Sequence, residues 1–79
     1  MNKEEIFKLI AEHTKEVVFE LEEHDFKIEE SLKALGANSI DRSEIIMMTL
    51  ESMELNAPLV DMAKAANIEE LVNILHDKQ

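Results

Sequence analysis

The chain has 79 residues and carries 18 acidic against 8 basic side chains, which gives a formal net charge of −10. This charge disfavours nucleic acids and anionic membrane surfaces as partners, because both are themselves negatively charged. The absence of cysteine excludes a disulfide framework and a thiolate metal site.

A single domain covering residues 1–79 is expected, because a chain of this length buries one modest core. Its first residues, Met1-Asn2-Lys3-Glu4-Glu5, are charged and unlike a signal peptide. No stretch approaches the roughly 20 apolar residues of a membrane span. We therefore expect a cytoplasmic protein. The acid excess either steers basic protein partners toward it or only keeps it in solution, and charge alone does not separate these two interpretations.

The low content of glycine and proline, without an alternating apolar pattern, predicts an all-helical domain. Apolar residues recur at helical spacing along the first segment: Ile6, Ile10, Val17 and Leu21. This spacing predicts a first helix from about Lys3 to near Glu20. A long loop follows, whose spaced apolar residues are expected to pack onto the core: Phe26, Ile28, Leu32 and Leu35.

The second helix is expected to begin at Asn38-Ser39, because Asn and Ser are favoured N-cap residues, and to end near Glu54-Leu55-Asn56. Its apolar stripe consists of Ile45, Ile46, Met48, Thr49 and Met53. Pro58 suits the first position of a short third helix that ends at about Ala65. Asn67 and Glu70 form the pattern of a capping box, which predicts a fourth helix to about His76.

The segment Leu35-Gly36-Ala37-Asn38-Ser39-Ile40-Asp41-Arg42 delivers a serine to the start of a helix after a glycine turn. Taken alone, a serine in this position is most often an ordinary N-cap. The segment resembles the acyl carrier protein family, whose signature is Leu-Gly-x-Asp-Ser-Leu at the start of the second helix. The likeness covers roughly residues 28 to 76 and includes Ser31-Leu32, Glu44 and Pro58 at family spacing.

The sequence departs from the family pattern at two positions. Asn38 replaces the usual aspartate before the serine and keeps the ability to cap the helix. Thr49 replaces an apolar core residue, and its hydroxyl is expected to bond to a carbonyl of the preceding turn.

The resemblance implies a four-helix bundle in which Ser39 carries a 4'-phosphopantetheine arm that holds acyl groups as thioesters. The chain would then be a carrier with no catalysis of its own, and its working thiol would lie on the arm, which agrees with the absence of cysteine. A helix start also suits the phosphodiester, because free N–H groups and the positive dipole end favour an anion.

In the family, the second helix is the main docking surface for partner enzymes. On this resemblance, docking is expected at Asn38, Ile40, Asp41, Arg42, Ser43, Glu44, Met47 and Glu51. Met47 fits a core position equally well, whereas Met48 is expected in the core. Arg42, a positive charge in an acidic helix, is expected to discriminate among partners.

The segment from Gly36 to Thr49 looks more like bacterial polyketide carriers than fatty-acid carriers, and is similar to the donor carriers of β-branching cassettes. That likeness implies a phosphopantetheinyl transferase, an acyltransferase, a ketosynthase or decarboxylase, and a hydroxymethylglutaryl-synthase-like enzyme as partners of a discrete, monomeric carrier. The last enzyme would accept an acetyl group made by decarboxylation of a malonyl group. The alternatives are a general fatty-acid or peptidyl carrier, or an unmodified acidic interaction module.

No metal site or catalytic group is expected. The histidines His13, His24 and His76 are scattered, and Glu20 would share a helix face with His24 only if the first helix extended that far. The sequence contains no recognisable Ser-His-Asp arrangement and no recognisable pair of catalytic carboxylates.

Overall fold

The computed structural model describes residues 1–79 and contains helices without strands. The elements are α1 (Lys3–Val17), a 3-10 turn (Phe19–Leu21), α2 (Ser39–Ser52), α3 (Leu59–Met62) and α4 (Ile68–Lys78). This order confirms the predicted helical bundle with a long first connection and a short third helix.

The core receives side chains from every helix and from the long loop. Ile6 of α1, Ile45 of α2, Met62 of α3 and Leu75 of α4 are buried together with Phe26 of the loop. Burial of these apolar side chains is the main favourable term that holds the short helices in place.

Two threonines lie fully buried among these apolar side chains. Thr14 Oγ1 donates to the Ile10 carbonyl at 2.7 Å, and Thr49 Oγ1 donates to the Ile45 carbonyl at 2.8 Å. Each hydroxyl is thus satisfied within its own helix, so its burial leaves no unmet hydrogen bond. The expectation for Thr49 is confirmed.

The first helix ends earlier than expected. It stops at Val17 instead of near Glu20, because Val18 adopts an extended backbone with φ −116° and ψ 96°. The break falls at two consecutive β-branched residues, which lowers helix propensity and favours extended structure. The chain resumes as the separate 3-10 turn, where Leu21 is buried.

The third and fourth helices differ from expectation at their ends. Pro58 keeps ψ at 135° and serves as the N-cap of α3, so the helix begins one residue later, and it ends at Met62 instead of Ala65. The fourth helix continues two residues beyond His76 to Lys78. Lys78 Nζ donates to the Asp61 carboxylate at 2.6 Å, which ties the end of α4 to α3 and lowers the pKa of Asp61.

The predicted capping box of α4 is only half formed. The Asn67 side chain accepts the Glu70 N–H at 2.9 Å, as expected. The Glu70 carboxylate accepts from the Ala66 N–H at 3.0 Å instead of from Asn67. The backbone also differs between the two caps, since Asn67 has φ −148° compared with −76° at Asn38, where the reciprocal bond forms.

The long loop packs onto the core as predicted. Phe26 and Leu32 are buried, and Ile28 and Leu35 are partly buried against the same cluster. Gly36 ends the loop with φ 107°, in a region that glycine enters without steric cost. The turn brings Asn38 to the start of α2.

Backbone hydrogen bonds fasten this loop to the start of α4. The Ile68 N–H donates to the Glu30 carbonyl at 2.9 Å, and the Glu69 N–H donates to the Ile28 carbonyl at 2.8 Å. These N–H groups belong to the first turn of α4, where the helix itself offers no acceptor. The loop therefore supplies the acceptors for backbone donors that α4 leaves open.

The Glu30 carboxylate braces the same loop. It accepts the Lys27 N–H at 2.7 Å, and its two oxygens each lie 3.0 Å from His24 Nε2. The hydrogen bond from the Lys27 N–H, followed by that from His24, holds the pKa of Glu30 below its ordinary value of 4.5.

The capping of α2 is complete. Asn38 Oδ1 accepts the Asp41 N–H at 2.8 Å, and Asp41 Oδ2 accepts the Asn38 N–H at 3.2 Å. This reciprocal pair satisfies two backbone donors that the helix leaves open. It fixes the residue at which α2 begins.

The contacts of Glu30 predict a specific pH dependence of stability. Because its pKa is lowered on folding, its contribution is present above about pH 4.5 and is lost as the pH falls through the folded pKa. Between about pH 5 and about pH 3, the wild type should lose more free energy of unfolding than Glu30→Gln, as measured by urea denaturation. Glu29→Gln changes an exposed neighbouring carboxylate and should keep the wild-type profile. Parallel profiles for the wild type and Glu30→Gln would contradict this role.

The cap of α2 predicts the effect of three substitutions. Asn38→Ala should lower the free energy of unfolding by about 1 kcal/mol, because the Asp41 N–H loses its acceptor. Asn38→Asp should stay close to the wild type, because aspartate caps about as well as asparagine. Asn56→Ala, at an exposed position between helices, serves as the matched control in urea denaturation. Equal losses in Asn38→Ala and Asn56→Ala would argue against the cap.

Candidate functional site

Ser39 is the first residue of α2 and is exposed. The side chain of Asn38 caps the helix, and Ser39 Oγ has no hydrogen-bond partner within the protein. The interpretation of Ser39 as an ordinary N-cap is therefore wrong. The serine presents a free, exposed hydroxyl at the start of a capped helix.

The start of α2 also offers open backbone donors. The N–H groups of Ser39 and Ile40 have no acceptor in the preceding turn, since none exists at a helix start. Together with the positive end of the helix dipole, these donors suit an anionic group attached to the serine.

Arg42 ties α2 to the residues that precede it. Its Nη1 donates to the Ala37 carbonyl at 2.6 Å, and the side chain is half-buried. Ala37 itself is buried in the core. Arg42 thus supports the turn that presents Ser39, a contact that the sequence analysis did not anticipate.

A cavity of about 490 Å³ opens beside Ser39. Its walls come from the long loop, α2, α3 and the start of α4, and they are mostly apolar, including Leu32, Ile46, Met62 and Leu71. The only charged residues in the lining are Lys33 and Arg42. The cavity is thus an apolar groove with positive charge near the serine.

The structure brings the predicted docking residues together around one end and one side of α2. Exposed members are Asn38, Ile40, Ser43, Glu44, Met47 and Glu51, whereas Asp41 and Arg42 are half-buried. Ile40 is 75% and Met47 56% exposed, so the core alternative for Met47 is wrong. Met48 is half-buried and does not belong to the core cluster, which corrects its predicted core position.

Two exposed apolar residues of α3 were missed by the sequence analysis. Val60 is 66% exposed, and Leu59 beside it is also exposed. Both line the cavity beside Ser39. The signal was present in the sequence, because two adjacent apolar residues at a helix start cannot both face the core along with Met62.

Two of the three histidines have side-chain partners. His13 Nε2 lies 2.9 Å from Ser52 Oγ, and His24 contacts Glu30. Because α1 ends at Val17, Glu20 and His24 do not share a helix face. The acidic and histidine side chains form no group of three that could hold a metal ion. No helix has the length and apolar character needed to cross a membrane.

The chain is similar to a curated protein and to a chain of a solved structure. No family model matches the chain. The polyketide biosynthesis acyl-carrier-protein AcpK of Bacillus subtilis (strain 168) is 42% identical over 78 residues, which are 99% of this chain and 95% of that protein.

The solved structure is that of the curacin biosynthetic pathway HMG synthase in complex with acetyl donor-ACP. A chain of that complex matches with a TM-score of 0.94 and 42% identity, over 99% of this chain and 100% of its own length. The matched chain is the acyl carrier protein of the complex. An identity of this size across almost the whole of both chains establishes the family: the chain belongs to the acyl carrier proteins of polyketide biosynthesis, and it is a carrier and not an enzyme.

Proposed function

We propose that Ser39 Oγ is the attachment point of a 4'-phosphopantetheine arm. The observation that carries the proposal is the free, exposed hydroxyl of Ser39 at a helix start whose cap is supplied by Asn38. The motif around Ser39 and the membership of the acyl carrier family support it.

The residues around Ser39 fit such a group. Attachment would form a phosphodiester between Ser39 Oγ and the arm, with coenzyme A as donor and adenosine 3',5'-bisphosphate as the leaving group. The open N–H groups of Ser39 and Ile40 would face the new negative charge. When bound, the arm supplies a thiol that holds acyl groups as thioesters, and partner enzymes perform the reactions on them.

We further propose that the chain donates an acetyl group to a hydroxymethylglutaryl-synthase-like enzyme in β-branching. The support is its similarity to the acetyl donor-ACP in the complex with the curacin-pathway HMG synthase. A phosphopantetheinyl transferase, an acyltransferase and a ketosynthase or decarboxylase would supply the arm and the cargo. The unmodified interaction module is the second candidate, and the free hydroxyl of Ser39 does not favour it.

The docking surface in this proposal is the exposed side of α2. Ile40, Ser43 and Met47 lie at i, i+3 and i+7, and so share one face of the helix. Exposed Glu44 and Glu51 on the same helix would attract basic side chains of the partner. Transient protein–protein interfaces usually combine an apolar centre with polar or charged residues around it.

The attachment site is tested by intact-mass measurement. Incubation with coenzyme A and a broad-specificity phosphopantetheinyl transferase should raise the mass of the wild type by one phosphopantetheine, and Ser39→Ala should remain unchanged. Ser52→Ala, an exposed serine at the other end of the same helix and outside the docking surface, is the matched control and should be modified. A folded wild type that gains no mass would refute the attachment and leave the interaction module as the better hypothesis.

The docking surface is tested by binding to a hydroxymethylglutaryl-synthase-like enzyme from the same organism. Ile40→Ala and Met47→Ala should each raise the dissociation constant by about tenfold, as measured by isothermal titration calorimetry. Both substitutions remove exposed apolar contact area. Phe19→Ala is the control, since Phe19 is 77% exposed but lies in the turn after α1. Equal affinities for all three variants and the wild type would place the partner on another surface.

A further inference from the structure

Arg42 is the only arginine of the chain, and its charge has no acidic partner although the chain holds 18 acidic residues. The ion pairs of the structure instead involve Lys8, Lys27, Lys78, His13 and His24. One N–H of Arg42 bonds to the Ala37 carbonyl, whereas a guanidinium carries five donors. A half-buried cation without a counterion lowers the stability of the fold through lost solvation. The presence of Arg42 beside the candidate site therefore needs an explanation.

The position of Arg42 relative to Ser39 supplies one. The two residues are three apart on α2, so their Cβ atoms are neighbours at about 5–6 Å. Both line the same cavity. Asp41, which lies between them in sequence, is bonded to the Asn38 N–H and does not neutralise Arg42.

The charge of the cavity is opposite to that of the protein as a whole. Lys33 and Arg42 are the only charged residues in its lining, and both are positive. The chain carries a net charge of −10. A positive lining in so acidic a chain favours an anionic ligand at this place.

We propose that Arg42 binds the phosphodiester that attachment of the arm would place on Ser39, and that it thereby directs the arm toward the cavity. This inference rests on the proposed modification of Ser39. The planar guanidinium donates two parallel N–H groups to phosphate oxygens, which fixes direction as well as distance. The Ala37 carbonyl holds Arg42 from the other side, so Arg42 is a positioning residue for the arm.

The stability of the modified protein relative to the unmodified protein distinguishes this role from a merely structural one. A new negative charge on a chain of net charge −10 adds to self-repulsion unless a cation faces it. The loss of the Ala37 bond in an Arg42 variant affects both forms of the protein alike. It therefore cancels in the difference between their melting temperatures.

The experiment compares the unmodified and phosphopantetheinylated forms of the wild type, Arg42→Gln and Lys3→Gln. In the wild type, modification should raise the melting temperature by about 4 °C, as expected for a charge-assisted hydrogen bond in a domain of this size. In Arg42→Gln the increase should vanish or reverse. Lys3→Gln removes an exposed positive charge from the start of α1 and should keep the wild-type increase.

Phosphorus NMR gives a second readout. The phosphodiester resonance of the folded wild type should differ from its position in urea-unfolded protein, and should move toward that position in Arg42→Gln. Intact mass confirms that each sample is fully modified before measurement, so a slower transferase reaction does not affect the comparison.

Two negative results have different meanings. Equal increases in melting temperature and equal phosphorus resonances in the wild type and Arg42→Gln would show that Arg42 does not bind the phosphodiester and would overturn its role, with the attachment intact. A wild type that gains no mass on treatment with the transferase would overturn the attachment, and the role of Arg42 with it.

Discussion

The candidate site depends on the reciprocal hydrogen bonds between Asn38 and Asp41 at the start of α2. They satisfy the helix start without Ser39, so the serine hydroxyl stays free while its backbone is fixed. Had Ser39 been the cap, its hydroxyl would have been engaged with a backbone N–H two or three residues ahead. One amide side chain thus decides whether the neighbouring serine is structural or available for chemistry.

The rest of the fold holds this helix start in place. The long loop reaches α2 through the turn at Gly36, is anchored in the core by Phe26 and Leu32, and is fastened to α4 through the Glu30 carbonyl. Three consecutive residues of this loop, Ser31, Leu32 and Lys33, line the cavity beside Ser39. The loop therefore acts as a wall of the site as well as a connection between helices.

Much of the fold could be predicted from the sequence, because its signals are local. Helical spacing and the caps at Asn38 and Asn67 predict the starts of α2 and α4 directly. The end of α1 was placed too late, because the β-branched pair Val17 and Val18 lowers helix propensity but does not by itself mark a helix end.

The candidate site at Ser39 is predicted by a contiguous motif, whereas its surroundings have no such local signal. The bond from Arg42 to the Ala37 carbonyl and the cavity between loop, α2, α3 and α4 arise only when separate segments meet. The sequence did not decide whether Met47 is exposed or buried, because methionine at helical spacing fits either side of an amphipathic helix. Such features depend on tertiary packing, which residue patterns do not specify.

The exposed apolar side chains of α2 and α3 have a consequence for self-association. Ile40, Met47 and Val60 present apolar surface that, on a neutral protein, would invite two copies to stick together. Here each copy carries a net charge of −10, so two copies repel before these surfaces meet, whereas a basic enzyme is attracted. The negative charge thus leaves this apolar surface available to a basic partner protein and disfavours self-association.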